Sequence, residues 1–206
     1  MTQILKIHPE TPQLRLLRIA AETIKKGGVI IYPTDSAYAL GCEIGNKDAA
    51  ERIRLIRKLD KNHNFTLVCR DLSEISTYAF IDNQTFRLLK ANTPGAYTFI
   101  LDATHEVPRR LQHPKRKTIG IRIPENKIVQ ALLSELGEPI MSVTLILPGQ
   151  NLPISDPDTI EEGLANQVDL IIDGGPCGLE PTTVIEFTDQ NPIIARAGKG
   201  DSKPFL

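Results

Sequence analysis

A chain of 206 residues with 24 Lys and Arg against 25 Asp and Glu carries a formal net charge of −1, so no overall field draws it to nucleic acid or anionic lipid. Its length suits a single domain with a sizeable core. Three cysteines (Cys42, Cys69, Cys177) without C-x-x-C spacing argue against a disulfide framework or a zinc site, and no long apolar span or signal-like start is present; a soluble, cytoplasmic protein is expected.

Thr11 reads as an N-cap with Pro12 at the first helical position, followed by Leu14, Leu17, Ala21 and Ile24 at helical spacing and a Gly27-Gly28 stop. Val29 to Tyr32 is a short apolar strand that Pro33 ends, because proline has no N–H for a neighbouring ladder. The segment running on to Gly41 is dense in short donors and acceptors: Thr34, Asp35, Ser36 and Tyr38. A small polar ligand suits such a strand end, although a plain polar turn has the same composition. Asn46 or Asp48 caps a second helix with Ala49, Ile53 and Ile56 inward, and Arg52, Arg54, Arg57 and Lys58 spread over its other sides as a solvated face.

Phe65 to Cys69 is the next strand. A short helix starts at Asp71 or Ser73, and another runs from Asn83 to Lys90 with Phe86, Leu88 and Leu89. Strands are expected over Tyr97–Leu101 and Thr118–Pro124, separated by a basic loop holding Arg109, Arg110, Lys115, Arg116 and Lys117. A helix from Asn126 carries Ile128, Ala131, Leu132 and Leu136 to Gly137. Ile140–Leu147 is a strongly apolar strand broken by Pro148-Gly149. An acidic stretch (Asp156, Asp158, Glu161, Glu162) gives loop plus helix, and Val168–Asp173 gives a strand. Thr182–Phe187 and Ile193–Arg196 close the chain as a strand pair. Helices alternate with strands early and strands pair late, so the fold class is α/β around a mixed sheet.

Several strand ends carry polar residues that strand propensity does not favour: Ser36, Thr118, Arg122, Ser142, Thr144, Thr182 and Arg196. Ligands gather beyond strand ends in open α/β sheets. Arg122 and Arg196 are flanked by apolar residues and each needs an anion, which is either a ligand or an internal carboxylate. No nucleophile elbow, Walker loop or dinucleotide glycine motif occurs.

The run Y-P-T-D-S-A-Y-A-L-G-C at 32–42 resembles the P-T-D-T-x-Y-G-L-G-x signature of the Sua5/YciO/YrdC family. T-P-G-A-Y-T-F-I-L at 93–101, T-I-G-I-R-I-P at 118–124, P-T-T-V-I at 181–185 and A-R-A-G at 195–198 follow in the family's order. The I-R-K-L at 56–59, the H-N-F-T-L at 63–67 and the ending G-K-G-D-S-K-P-F-L look most like the YciO branch. The resemblance implies a single YrdC-like domain over residues 10–200, with 1–9 and 201–206 as terminal extensions. Its sheet would be twisted and mixed, flanked by helices, with a large concave surface. It also implies a threonylcarbamoyl-AMP synthase activity, in which L-threonine, bicarbonate and ATP (with Mg²⁺) give threonylcarbamoyl-adenylate and pyrophosphate for tRNA modification. Double-stranded RNA or tRNA is the implied macromolecular partner.

Carried over by position, Ser36, Arg122, Ser142 and Thr182 hold threonine, and Arg57, Thr118, Thr144 and Arg196 contact the nucleotide. The synthases' K-x-R pair reads Arg57-Lys58-Leu59 here, and their S-x-N reads Thr144-Leu145-Ile146. Arg57 keeps a cation, its partner Arg is Leu59 and the Asn is Ile146, with Lys58 or Lys61 as the nearest replacement. Arg57 and Lys61 are thus the catalytic candidates, in a site of weakened equipment. Alternatives are an RNA- or ribosome-binding paralogue docking on Arg109, Arg110, Lys115, Arg116, Lys117 and the Arg52–Lys61 face, and a sensor or enzyme for a related adenylate or carbamoyl compound.

Overall fold

A computed structural model describes residues 1–60, 63–188 and 191–206. The first helix, α1 (Leu14–Lys25), turns Leu17, Ala20, Ala21 and Ile24 inward. Its N-cap is Gln13 rather than Thr11. The Thr11 backbone N–H and hydroxyl both lie 3.1 Å from His8 Nδ1, and that local bond takes the threonine out of the capping position. Elsewhere the side-chain caps expected from the sequence form: Asn46 on α2 (Lys47–Arg57), Asp71 on α3 (Leu72–Tyr78) and Asn126 on α5 (Lys127–Leu136). Helices α4 (Asn83–Asn92) and α6 (Pro157–Leu164) are capped by Asp82 and Asp156.

The strands are β1 (Gln3–Lys6), β2 (Ile30–Tyr32), β3 (Ala39–Glu43), β4 (Thr66–Val68), β5 (Tyr97–Asp102), β6 (Thr118–Arg122), β7 (Ile140–Thr144), β8 (Leu170–Asp173), β9 (Thr183–Thr188) and β10 (Asn191–Arg196). They form one mixed ten-stranded sheet in the order β1-β8-β2-β3-β7-β4-β6-β5-β9-β10. The β1–β8, β2–β8, β4–β6 and β5–β9 pairs are parallel and the others antiparallel. The two stretches expected to be terminal extensions are built into the fold. Strand β1 adds an edge to the sheet through β8, and Phe205 packs at 5.5 Å on the ring of Tyr97.

Strand alternation decides where the site lies. On β5, β6, β7 and β9 one set of side chains (Tyr97, Phe99, Ile121, Met141, Ile185) enters the larger core. Ile53 and Ile56 of α2, Ile75 of α3, Leu89 of α4 and Ile160 and Leu164 of α6 cover that face. Helices α1 and α5 cover the other face, but only over β1, β8, β2, β3, β7 and Val68 of β4. Among the described residues, nothing from β6, β5, β9 or β10 joins that second core. Each fully buried Leu or Ile there contributes about 1.5–3 kcal/mol, so the covered half is rigid. The half beyond it is left open as a concave surface, and alternation points a mostly polar set of side chains into it, with Ile100 and Val184 among them.

Candidate functional site

The open half of the sheet holds a cleft with two connected chambers. The outer chamber, about 280 Å³, is lined by Arg57, Thr118, Thr144 and Arg196, together with Arg116 and Ile146. The inner chamber, about 30 Å³, is lined by Ser36 and Arg122. Thr66, Thr98, Ser142, Thr144 and Thr182 line both chambers and form the shared floor. The eight residues assigned to threonine and nucleotide by resemblance line one cleft: Ser36 and Arg122 only the inner chamber, Arg57, Thr118 and Arg196 only the outer one, and Ser142, Thr144 and Thr182 both.

The inner chamber is built by the turn after β2. The Thr34 hydroxyl accepts the N–H groups of Ser36 and Ala37, both at 3.2 Å, and donates to the Ala37 carbonyl at 2.6 Å. Ser36 Oγ lies 3.1 Å from the same hydroxyl. Ser36 in turn accepts from Arg122 Nη1 at 3.3 Å. Arg122 Nη2 is ion-paired to Asp35, and both side chains are only 9% exposed. Asp35 also accepts the Glu125 N–H at 2.9 Å. The question the sequence leaves open for Arg122 thus has a structural answer: an internal carboxylate occupies part of its guanidinium, while its buried Nε has no partner.

Ser142 faces Gly41 across the β3–β7 pair. It accepts from the Tyr32 hydroxyl at 2.7 Å and donates to the Leu40 carbonyl at 3.0 Å. Its single proton is spent, so toward a ligand Ser142 acts only as an acceptor. Burial pushes the Tyr32 phenol up to about 12 and keeps it a donor. Gly41 is needed for this arrangement: a Cβ there would lie 2.7 Å from Tyr32 Cε1 and 2.6 Å from Ile140 Cγ2. Thr182 and Thr98 share a 2.8 Å hydroxyl bond, and Arg196 Nη2 donates to the Thr182 carbonyl at 2.9 Å.

The guanidiniums of the cleft fall into two classes. Arg122 and Arg116 are ion-paired, to Asp35 and Glu186. Arg57 and Arg196 donate to the backbone carbonyls of Thr144 and Thr182, and among the described residues no carboxylate pairs with either. Burial disfavours the charge of both and lowers their pKa. Arg57 is partly buried and Arg196 exposed, and a cation held only by carbonyls leaves room for an anion.

Other expected residues lie elsewhere. Lys58 sits in the left-handed conformation at the end of α2 (φ 49°) and does not line the cleft; Lys61 lies outside the described residues. Leu59 packs against the core, and Ile146 makes an apolar stretch of the outer wall. The α2 arginines do not form one basic face: Arg52 pairs with Asp169 at 2.7 Å, Arg54 lies 5.0 Å from the Phe65 ring centroid, and Arg57 turns into the cleft. Arg109, Arg110 and Lys117 line a second hollow of about 240 Å³, which shares His63, Asn64 and Phe65 with the outer chamber. Lys115 is exposed. Arg116 is set apart from its neighbours by facing the cleft. Sequence reasoning missed Thr66 and Thr98, for which polar alternation within a strand was the available signal. It also missed His63, His113 and Glu186, for which there was none. At His63, burial and the nearby Arg57 and Arg54 hold the imidazole pKa below its ordinary value.

A family model described as "Telomere recombination", for Sua5, YciO and YrdC proteins, matches residues 22–198. The chain is 61% identical to Escherichia coli YciO over 206 residues, all of both chains, and the crystal structure of that protein matches with a TM-score of 0.96. The crystal structure of P. abyssi Sua5 complexed with L-threonine matches with a TM-score of 0.87 at 26% identity, covering 96% of this chain and 58% of that one. A threonylcarbamoyl-AMP synthase of Vibrio vulnificus is 27% identical over 161 residues, 77% of this chain and 86% of that one.

Proposed function

The chain belongs to the Sua5/YciO/YrdC family, and from that premise we propose that its cleft joins L-threonine, bicarbonate and ATP into threonylcarbamoyl-adenylate, slowly. The observation that carries this reading is the convergence of Ser36, Arg122, Ser142 and Thr182 on the inner chamber, directly against Arg57, Thr118, Thr144 and Arg196 on the outer one. At about 30 Å³ the inner chamber takes a headgroup rather than a whole amino acid. Arg122, partly occupied by Asp35, offers the remaining donor capacity of Nη1 to a carboxylate. Ser142, which can only accept, suits the amino group beside it.

The chemistry fits a site without a nucleophile. The threonine nitrogen adds to bicarbonate carbon and water leaves, giving a carbamate. A carbamate oxygen then attacks the α-phosphorus and pyrophosphate departs. Both steps depend on positioning and on neutralising phosphate charge, which Arg57 and Arg196 supply. Among the described residues no group of three or more His, Cys, Asp or Glu gathers to hold a metal, so a Mg²⁺ would arrive on the phosphates of ATP. Leu59 and Ile146 stand where the synthases carry an Arg and an Asn, and each loss costs on the order of 2–4 kcal/mol in the transition state. A low turnover follows. The test is pyrophosphate release that requires both threonine and bicarbonate; release at background with both present would sink the reading.

RNA binding is the second reading, and a specific observation favours it. Among the described residues Arg109, Arg110, Lys115 and Lys117 form no ion pair. The basic loop thus presents free charge beside the cleft mouth, suited to the phosphates of a duplex. Duplex RNA binding whose affinity falls steeply with salt, and flattens when these four are changed to Gln, would support it.

A further inference from the structure

Arg116 reaches the outer chamber from a loop whose backbone is pinned. His113 Nδ1 accepts the Arg116 N–H at 3.1 Å, Lys117 N–H donates to the His113 carbonyl at 2.9 Å, and Ala103 N–H donates to the Lys117 carbonyl at 2.9 Å. The guanidinium is ion-paired to Glu186, with side-chain exposures of 46% for Arg116 and 16% for Glu186. Glu186 lies on β9 two residues beyond Val184, so it shares the cleft face, and its partner Ile100 on β5 also lines the outer chamber. A chamber whose other two guanidiniums lack carboxylates therefore has a third, neutralised by Glu186 on the cleft face of β9.

We propose that Glu186 occupies the place of a substrate phosphate: it holds Arg116 at the rim until a polyphosphate tail displaces it and takes the guanidinium. This rests on the outer chamber being a nucleotide site. The Arg116 end of the pair is nearly half exposed and so screened by solvent, and a phosphate chain offers Arg a denser set of acceptors than one carboxylate. A single phosphate lacks the reach and charge to compete. The pair is thus a threshold that favours nucleoside triphosphates over monophosphates.

The test is calorimetric titration of ATP and of AMP into the full chain and two variants. For Glu186→Gln, ATP binding is expected to tighten about fivefold and AMP to gain at least as much, since Arg116 is then free for either. For Arg116→Gln, ATP is expected to weaken about fivefold with AMP unchanged. If the pair merely anchors the loop, both variants weaken both ligands, and that result overturns the proposal. Unchanged ATP affinity in Glu186→Gln also overturns it. Should that variant fail to fold, equal loss of ATP and AMP in Arg116→Gln is the refuting result. Wild-type protein that binds neither nucleotide would remove the nucleotide reading itself, and this inference with it.

Discussion

Changing Asp35 to Asn strikes the ion pair that orients the inner chamber. Asp35 and Arg122 are each 9% exposed, the least exposed pair among the described residues. Arg122 has little else to satisfy it: a 3.3 Å contact to Ser36, and an Nε with no partner. Removing one member of a buried pair costs about 3–5 kcal/mol, because the survivor stays charged and uncompensated. Asparagine retains one acceptor for Arg122 or for the Glu125 N–H, which places the loss near about 3 kcal/mol, a large share of a typical stability of about 5–15 kcal/mol. Urea unfolding of Asp35→Asn, Arg122→Met and the double variant measures it. The double variant should lose at least about 2 kcal/mol less than the sum of the singles, since no buried charge is left without a partner. Threonine affinity should fall in Asp35→Asn as Arg122 loses its fixed orientation. Single losses that add to within about 0.5 kcal/mol would refute the reasoning, because the two groups would then be energetically independent.

Arg196→Gln should weaken ATP about 10- to 100-fold, the worth of a charge-assisted hydrogen bond, with only a small drop in melting temperature, because no described carboxylate depends on Arg196 and, among the described residues, its side chain bonds to Thr182 alone. Gly198→Ala would bring a Cβ within 2.4 Å of the Pro181 carbonyl oxygen and 2.6 Å of that of Thr182; denaturation should show a loss of about 1–3 kcal/mol, accompanied by weaker binding of both threonine and ATP. His63 gives a pH signature. Its folded pKa is lowered, so the unfolded chain binds the proton more readily; the contribution to stability is complete above the unfolded value and is lost as pH falls below it and through the lowered folded value. His63→Gln should therefore gain stability relative to wild type on going from about pH 7.5 to about pH 5, and a constant difference across that range would contradict this.

Much of the fold was legible because local rules and tertiary packing agree in this chain. Helices α2, α3 and α5 start at capping side chains, β5 and β9 read as apolar-rich runs, and β6 alternates apolar residues with threonine, glycine and arginine. Strand β3 escaped because Ala39 to Cys42 is buried on both faces, which erases alternation, and because the polar turn before it draws the eye. Strand β1 is four residues long and is defined by its partner β8 rather than by its own pattern. The apolar run after Ile140 continues past the end of β7: Leu145 N–H bonds to the Tyr38 carbonyl, and Ile146 turns to the cleft wall. In the site, polar residues at alternating strand positions could be found from spacing alone. Long-range pairings could not. Asp35 and Arg122 are 87 residues apart and Arg116 and Glu186 are 70 apart, so nothing local announces either bond.

The most direct measurement of the central claim is a crystal structure of the protein soaked with ATP and L-threonine. Phosphate density is expected between Arg57 and Arg196, and an amino-acid carboxylate on Arg122 with its nitrogen toward Ser142. Nucleotide bound outside the cleft, with the two chambers holding only solvent at saturating ligand, would contradict it.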